Sequence, residues 1–278
     1  MARTWFVTGA TRGIGAEIVK GALAAGDRVV ATGRDTAKIA DRFDAGPDRL
    51  LAIALDVTDA AQTAAAVEAA VAGFGGIDIL VNNAGYGQLG LFEESDPADI
   101  AQQFATNVFG LFGVTRAALP VMRRQRSGRI FNLSSIAGLR GGPGASIYCA
   151  SKHAVEGFSE ALAQEVAPFG VHVTLIEPGV FRTDFLDPSS ARFNGNAIPD
   201  YAEAAAGLRS AYRARNHQQP GDPAKLAQAI LTLASTDSPP IRFVAGPDAV
   251  DLLETKIGKL KSDLDAWRAL SIGTDGSW

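Results

Sequence analysis

Tyr148 and Lys152 lie four residues apart in the stretch GASIYCASKHAVEGF, residues 144–158. On an α-helix, positions i and i+4 share one face and are about 6 Å apart along the axis. A cation held beside a phenol favours the phenolate, so this pair is suited to proton transfer. The alternative is structural, because a lysine can extend its stem along a half-buried tyrosine toward water. The surrounding sequence must distinguish the two interpretations.

Short apolar segments rich in β-branched residues recur along the chain. Longer segments of helical composition separate them, such as 13–26 and 59–75. Continuous apolar strands that alternate with helices indicate a parallel sheet covered on both faces. We therefore predict an α/β fold, a single-domain Rossmann-type doubly wound sheet of about seven strands, whose ligands bind beyond the carboxyl ends of the strands. The predicted strands are 4–9, 28–33, 50–56, 77–83, 129–135, 171–179 and 241–246.

The composition fits one large domain. The chain has 278 residues, of which 47% are hydrophobic and 20% charged, and its net charge of −4 gives no electrostatic reason for a nucleic-acid partner. The single cysteine excludes an internal disulfide framework and fits a reducing compartment. The N-terminus lacks a signal-peptide core, and no apolar run approaches the ~20 residues that span a bilayer. We expect a cytoplasmic protein without a membrane partner.

The first predicted strand ends in TGATRGIG, which contains Gly9, Gly13 and Gly15. Glycines at such a position permit a tight turn and let the backbone approach a pyrophosphate at a helix N-terminus. The spacing is GxxxGxG rather than the standard GxGxxG. Because the loop follows a strand and opens a helix, it predicts a dinucleotide site without specifying the dinucleotide.

Six motifs occur in order at the ends of successive strands or in the helices that follow. They are TGATRGIG (8–15), NNAG (82–85), Asn107, NLSS (132–135), YCASK (148–152) and PGVFRT (178–183). Over residues 4–246 the chain thereby resembles the short-chain dehydrogenase/reductase family, single-domain Rossmann enzymes that transfer hydride between a nicotinamide and a carbonyl or alcohol. NNAGYGQLGLFEE and EPGVFRTDF are similar to a bacterial hydroxysteroid-dehydrogenase-like branch, a grouping by sequence rather than by substrate.

The resemblance implies four catalytic residues. Tyr148 is the acid/base, and Lys152 acidifies it and bonds the nicotinamide ribose. Ser135, thirteen residues before the tyrosine, hydrogen-bonds the substrate oxygen. Its neighbour Ser134 should face away, because successive strand residues point to opposite sides. Asn107 holds a water that leads to the lysine.

The predicted effect of the lysine has a physical size. A free tyrosine has a pKa of about 10 and is a poor base near neutrality. A cation about 4 Å away, at an effective dielectric constant of 20, is worth roughly 4 kcal/mol or about three pKa units. That would bring the pKa of Tyr148 close to 7, as an upper bound, because desolvation acts in the opposite direction.

The end of the second strand, VATGRD, bears on the choice of cofactor. Gly33 stands where an acid would bind the ribose of NAD, and Arg34 follows, where an arginine accommodates a 2′-phosphate. Arg12 is a second candidate cation, whereas Asp35 could bond a ribose instead. We expect NADP(H) to be preferred, with NAD(H) as the alternative. The predicted cofactor contacts are Gly9, Thr11, Arg12, Gly13, Ile14, Gly15, Arg34, Asp56, Val57, Asn83, Ala84, Gly85, Tyr148, Lys152, Pro178, Gly179, Val180 and Thr183.

Two segments lie outside these motifs. The insert 182–222 is irregular in composition, and a connection of that length in a compact domain is often a lid. With 85–90 and 136–144 it should form the substrate walls, and its aromatics and mixed charges favour an apolar body around one carbonyl. The same aromatics could instead pack the insert against the sheet. The tail, about 248–270, has helical spacing and either closes the domain or meets another subunit.

We therefore predict an NADP(H)-dependent oxidoreductase that acts on a ketone, aldehyde or secondary alcohol and forms a homodimer or homotetramer. One alternative is a catalytically silent dinucleotide-binding sensor or scaffold, which would typically lack the Tyr or Lys. Another is a methyltransferase with a similar glycine loop, which the complete Ser-Tyr-Lys set disfavours. The histidines His153, His172 and His217 show no metal-ligand spacing, so no metal is expected.

Overall fold

The structure is a computed structural model that describes residues 2–276. Within that range the strands are β1 (Thr4–Val7), β2 (Arg28–Gly33), β3 (Leu50–Ala54), β4 (Ile79–Asn82), β5 (Gly87–Leu89), β6 (Gly128–Leu133), β7 (Val171–Pro178), β8 (Ala191–Phe193) and β9 (Arg242–Ala245). Seven of them form one parallel sheet in the order β3-β2-β1-β4-β6-β7-β9. Six of the seven lie within a predicted strand segment, and β6 begins one residue before its segment 129–135, so the predicted doubly wound fold is confirmed.

Helices cover both faces of this sheet. They are α1 (Gly13–Ala24), α2 (Ala37–Ala40), α3 (Ala60–Phe74), α4 (Pro97–Phe104), α5 (Leu111–Gln125), α6 (Ser146–Val166), α7 (Ala202–Arg215), α8 (Pro223–Ala234) and α9 (Pro247–Ile272). Strand β1 is buried throughout. Its Trp5 and Val7 pack with α1 and α8, whereas Phe6 packs on the opposite face with α3 and α5. Because both faces of this strand are buried, its residues do not alternate between apolar and polar, which explains its continuous apolar sequence.

The helices α4 and α5 are joined through a π-helical turn, Ala105–Gly110, into one helix from Pro97 to Gln125. By length and composition this helix could cross a membrane, in contrast to the expectation that no segment reaches that length. Core helices of soluble proteins meet the same criterion. Here Val114, Ala118 and Met122 pack into the core beneath the sheet, so the apolar face is used within the domain.

The insert 182–222 is more regular than its sequence predicts, because it contains both β8 and α7. Its two ends meet: Arg182 N donates to the Gly221 carbonyl (2.8 Å), and Gly221 N donates to the Val180 carbonyl (3.1 Å). Strand β8 pairs in parallel with β5, which follows β4 in the chain. Backbone hydrogen bonds therefore hold the insert to the loop after β4, over the carboxyl edge of the sheet.

The direction in which strands are added reverses at β1, which pairs with β2 on one side and β4 on the other. A crevice forms outside the carboxyl ends of the strands at such a switch point. The loops that follow β1, β2, β4, β6 and β7 all end there, and the insert lies above them. The fold thus brings segments that are distant in sequence to one edge.

Candidate active site

A cavity of about 610 Å³ occupies this crevice. It brings together all of the predicted site residues except Gly15 and Asn107. The predicted residues that line it are Gly9, Thr11, Arg12, Gly13, Ile14, Arg34, Asp56, Val57, Asn83, Ala84, Gly85, Ser135, Tyr148, Lys152, Pro178, Gly179, Val180 and Thr183. Its lining is polar around the glycine loop and apolar around the insert, which suits a ligand with a polar and an apolar part.

The glycine loop lines one end of the cavity. Gly9 and Gly13 have φ angles of +65° and +56°, the left-handed region that favours glycine. Gly15 does not line the cavity, but a Cβ there would overlap the carbonyl oxygen of Gly9 and the side chain of Asn83. The Asn83 Nδ2 donates to the carbonyls of Thr8 (2.9 Å) and Gly9 (3.0 Å), which fixes the loop to the end of β4. The N-terminus of α1 therefore faces the cavity, as pyrophosphate binding requires.

Tyr148 and Lys152 lie on one face of α6, as their spacing predicts. The Lys152 Nζ is 5.8 Å from the centroid of the Tyr148 ring, and the side chain is buried. Its ammonium donates to the carbonyl oxygen of Leu133 (2.6 Å), at the end of β6. The lysine thus anchors the helix against the central sheet and holds the phenol at the cavity.

Burial dominates the ionisation of both groups. It raises the pKa of Tyr148 above its ordinary value, and the hydroxyl of Ser135 opposes that rise. It also lowers the pKa of Lys152 to about 8, against the field of Glu156. The expectation that Lys152 brings the pKa of Tyr148 close to 7 is therefore not met in the protein alone. Desolvation penalises both charged forms, and the ammonium is directed at a carbonyl oxygen rather than at the phenol.

The two serines after β6 differ in what their hydroxyls contact. Ser135 Oγ accepts a hydrogen bond from the backbone N–H of Ala137 (3.1 Å) and lies 3.5 Å from the carbonyl oxygen of Pro178. Ser134 is buried, and its hydroxyl donates to the carboxylate of Glu156. Because the hydroxyl of Ser134 is engaged by Glu156, Ser135 is the serine whose hydroxyl is available beside Tyr148.

Asn107 lies in the π-helical turn between α4 and α5, a type of distortion that is frequent at functional sites. Its Oδ1 accepts from the Tyr86 backbone N–H (3.1 Å), and its Nδ2 donates to the Tyr86 carbonyl (2.9 Å). The amide therefore holds the loop after β4 against the π-helical turn through two hydrogen bonds. Its predicted role, a water that leads to Lys152, stays a prediction.

The two candidate cations at the adenosine end have different surroundings. Arg34 follows β2 and lines the cavity. The guanidinium of Arg12 donates to the hydroxyl and carbonyl oxygens of Ser189 (2.5 and 2.8 Å) and to the hydroxyl of Ser190 (2.6 Å). Arg12 is thus tied to the insert, which the sequence could not predict. Asp35 is not among the lining residues, whereas Arg34 is.

The insert supplies an apolar wall next to the predicted catalytic residues. Phe185, Leu186 and Tyr212 line the cavity, and the Phe185 ring centroid is 5.5 Å from that of Tyr148. Phe193 packs against Tyr212 (5.9 Å between centroids) and supports this wall from outside. Part of the insert's aromatic content therefore faces the cavity, and part only packs the insert.

Three lining residues lie in the predicted wall segments, although the sequence does not single them out. They are Tyr86 in 85–90, Ile136 in 136–144 and Gln219 in 182–222. Gln219 is buried, and its Oε1 has no hydrogen-bond partner within residues 2–276. The sequence predicts that these segments reach the cavity, whereas the individual side chains that face it depend on how each segment folds.

A family model described as short chain dehydrogenase matches residues 3–193, more than half of the chain. The chain belongs to the short-chain dehydrogenase family. It is therefore an oxidoreductase by family, with a fold built for a nicotinamide dinucleotide. The finer assignment to a hydroxysteroid-dehydrogenase-like branch stays a prediction.

Three similar proteins illustrate the range of the family. A short-chain dehydrogenase from Streptomyces avermitilis is 42% identical, with a TM-score of 0.91 over 99% of this chain and 100% of that one. A 3-ketodihydrosphingosine reductase from Bacteroides thetaiotaomicron is 37% identical, over 92% of this chain and 91% of its own length. The solved structure of ElxO with NADP bound is 28% identical, with a TM-score of 0.73, and the match covers 88% of this chain and 97% of that one.

Three ionisable groups in the insert of this short-chain dehydrogenase come together, although one of them is 30 residues from the nearest of the other two. Ligand atoms of Asp184, Asp187 and His217 lie within 4.8 Å of one another. The spacing of the histidines did not predict this cluster. The carboxylate of Asp187 is hydrogen-bonded by the side chains of Asn216 and His217, and the bond from Asn216 contributes most to lowering its pKa. These bonds join the first turn of the insert to the end of α7.

A partly buried ion network lies behind the predicted catalytic serine of this dehydrogenase. Arg242 on β9 pairs with Glu177 (2.6 Å), with Glu160 (2.7 Å) and with Glu156, which also accepts from Ser134. Burial, and then the nearby charge of Glu156, raise the pKa of Glu177 to about 7. The network fixes β7 and β9 against α6, beneath the residues that line the cavity.

We predict that Glu177→Gln changes how stability depends on pH. A folded-state pKa of about 7 lies above the ordinary glutamate value of 4.5, so the folded state binds more protons than the unfolded state between these values. The wild type therefore loses stability as pH rises from about 4.5 to 7. The variant should lack this loss, and its free energy of unfolding relative to wild type should rise by on the order of 1 kcal/mol.

Urea unfolding at pH 5 and pH 8 measures this difference. Glu165→Gln, at an exposed position of the neighbouring helix α6, is the control and should show the same pH dependence as the wild type. Parallel pH curves for Glu177→Gln and wild type would contradict the raised pKa.

Proposed function

We propose that this protein is an NADP(H)-dependent oxidoreductase that interconverts a ketone or aldehyde with the corresponding alcohol, secondary in the case of a ketone. One observation carries the proposal. Ser135, Tyr148 and Lys152 lie at one end of a continuous cavity, and the glycine loop and Arg34 lie at the other. A nicotinamide dinucleotide bound along that cavity would supply or accept the hydride. A silent sensor or scaffold would have no need of the complete trio.

The residues of the chain supply proton transfer and orientation. Burial keeps the Tyr148 phenol protonated near neutral pH, so its oxygen holds the proton that a reduced carbonyl oxygen requires. The Ser135 hydroxyl is placed to donate to the same oxygen and to stabilise its growing negative charge. Lys152, with a pKa of about 8, is largely protonated at neutral pH and favours the phenolate once the proton has moved.

The preference for NADP(H) rests on Gly33 and Arg34. A Cβ at Gly33 would lie 2.7 Å from the Thr11 methyl group, so an acidic side chain does not fit there unless Thr11 moves. Arg34 faces the same end of the cavity and suits a phosphate, because a guanidinium can bond it with two parallel donors. ElxO, a relative solved with NADP bound, supports the same choice.

The preferred substrate is a carbonyl compound with a medium-sized apolar body. Phe185, Leu186 and Tyr212 of the insert surround the space next to Tyr148. Apolar walls around one polar centre suit a single carbonyl rather than a multiply charged molecule. The Bacteroides relative, named for a 3-keto compound, supports a ketone.

We propose further that the insert 182–222 acts as the lid over cofactor and substrate. The contacts of Arg12 with Ser189 and Ser190 and the pairing of β5 with β8 support this role, because they join the lid to both sides of the cavity. The charge and the single cysteine support a cytoplasmic location.

A turnover assay on a panel of carbonyl compounds tests the proposed function. Purified protein with NADPH should reduce apolar ketones or aldehydes faster than small charged keto acids, as followed by the loss of NADPH absorbance. Binding of NADPH without turnover on any carbonyl would favour the sensor alternative. Higher rates with keto acids would contradict the apolar pocket.

We predict that Tyr148→Phe abolishes turnover and leaves the Kd for NADPH within a few-fold of wild type. The phenol supplies the proton, and positioned proton transfer is typically worth ~10²–10⁴ in rate. Lys152→Ala should lower the rate and also weaken cofactor binding. Steady-state kinetics and fluorescence titration measure the two effects. Tyr201→Phe, in the insert but away from the cavity lining, is the control, and a rate above about a tenth of wild type for Tyr148→Phe would refute the role.

We predict that Arg34→Asp abolishes or reverses a preference for NADPH over NADH in kcat/KM. A lost charge-assisted bond to a phosphate is worth roughly 1.5–3 kcal/mol, or about ten- to a hundred-fold. Arg42→Asp makes the same charge change at an exposed position outside the cavity and should leave the ratio unchanged. Equal efficiency of the wild type with both cofactors would show that Arg34 does not select between them.

A further inference from the structure

The C-terminal helix α9 carries large apolar side chains that are exposed. Its N-terminal end packs against β9, but from Ile257 onward every described residue of the helix is exposed. Ile257 is 56% exposed and Trp267 is 64% exposed, and the leucines between them are similar. Large apolar side chains in a continuous exposed row indicate an interaction surface.

The spacing of the row identifies the kind of surface. Alternate steps of three and four residues separate its members, which is the a/d pattern of a heptad repeat. A helix that packs on a globular core has a broader apolar stripe, whereas a strict a/d row is the seam of a coiled coil. We call these residues the α9 seam; they are Val250, Leu253, Ile257, Leu260, Leu264 and Trp267.

We propose that α9 forms an antiparallel coiled coil with α9 of a second copy of this chain. In the register that places Ile257 of one copy opposite Leu260 of the other, Leu253 meets Leu264 and Val250 meets Trp267. Each of these three layers occurs twice by symmetry. All six residues of the α9 seam are thereby buried without a mismatch.

The charges beside the seam fit this register. With Val250 as position a of the heptad, Glu254 and Lys261 are e positions, and Lys256 and Asp263 are g positions. In an antiparallel pair, e positions face e positions and g positions face g positions. Lys256 of one copy then lies opposite Asp263 of the other, and Glu254 lies opposite Lys261. Because each pair occurs twice, four flanking contacts join opposite charges, and no like charges face each other. Electrostatic complementarity of this kind sets partner choice and orientation in coiled coils.

The other arrangements place like charges together. A parallel pair sets g against e, which brings Lys256 opposite Lys261. An antiparallel pair shifted by one heptad brings Asp263 opposite Asp263 and Lys261 opposite Lys261. A shift the other way brings Lys256 opposite Lys256 and Glu254 opposite Glu254. The sequence is therefore fully complementary in one register only.

Ion pairs within a single copy do not oppose this assembly. Lys261 contacts Asp265 (2.7 Å), and Lys259 contacts Asp263 (3.7 Å), along the exposed surface of the helix. Exposed pairs of this type contribute little to stability, so their charges remain able to pair across the seam.

The oligomeric mass of the full chain tests the proposal. Sedimentation equilibrium should show that Leu264→Asp halves the mass of the wild-type assembly. Ser262→Asp adds the same charge on the opposite face of the helix and should leave the mass unchanged. Circular dichroism and NADPH binding establish that both variants are folded. A monomeric wild type at micromolar concentration, or an assembly unaffected by Leu264→Asp, would overturn the proposal.

Charge reversal tests the orientation. Lys261→Glu places two carboxylates opposite each other, at 261 and at Glu254, twice in the antiparallel pair, and it should weaken self-association about tenfold. In a parallel pair the same change would remove the repulsion between Lys256 and Lys261 and would strengthen self-association. The double variant Glu254→Lys/Lys261→Glu should restore wild-type affinity. Tighter association of Lys261→Glu would overturn the antiparallel assignment.

Disulfide formation gives an independent test of the register. Val250 and Trp267 are about 25 Å apart along one helix, so cysteines at these positions cannot join within a chain. Oxidation of a mixture of Val250→Cys and Trp267→Cys chains should give covalent dimers that contain one chain of each. Val250→Cys alone should give none, and a covalent dimer of that variant would indicate a parallel pair.

Discussion

The ammonium of Lys152 is buried against the end of β6, where it donates to the carbonyl of Leu133 (2.6 Å). A buried charge is expensive unless its donors are satisfied, so this contact restricts where α6 can lie on the sheet. Once α6 is fixed, Tyr148 lies one turn from the lysine and beside the serine at the end of the same strand. The position of the cavity wall, and of the buried network behind it, follows from that docking.

The ion network beneath the site also restricts where α6 can lie on the sheet. Glu156, one turn beyond Lys152, shares Arg242 with Glu177 and accepts from Ser134. Its charge opposes the loss of the lysine proton, while burial favours that loss. The ionisation of the lysine therefore depends on a group that does not line the cavity. A partly buried arginine–glutamate network thus connects the stability of the sheet edge to the electrostatics of the site.

Local patterns in the sequence predict the main sheet and the glycine loop, because each is determined by residues that lie close together in the chain. Apolar runs predict the seven strands of the main sheet, and the glycine positions predict the loop that begins α1. The remaining features depend on contacts between distant segments. Arg12 bonds residues 177 and 178 positions further along the chain, which no periodicity indicates. The three-residue strands β5 and β8 are too short to leave a pattern.

The error in the expected ionisation of Tyr148 has a different origin. Coulomb's law between two residues at known helical spacing is easily written down from the sequence, whereas desolvation requires the depth of burial. The spacing also does not give the direction of a flexible side chain. Here the lysine turns toward a backbone oxygen, and burial determines the sign of the shift.

The parallel pairing of β5 with β8 has a consequence for how such a protein can diversify. The hydrogen bonds of a β-ladder come from the backbone and are largely independent of the side chains on it. Phe185 and Leu186, which face the cavity, precede β8, and Tyr212 follows it. These wall residues can therefore be exchanged while the ladder continues to hold the insert over the site. The attachment of the insert and the shape of its inner surface are separate properties, so selection can alter one while preserving the other.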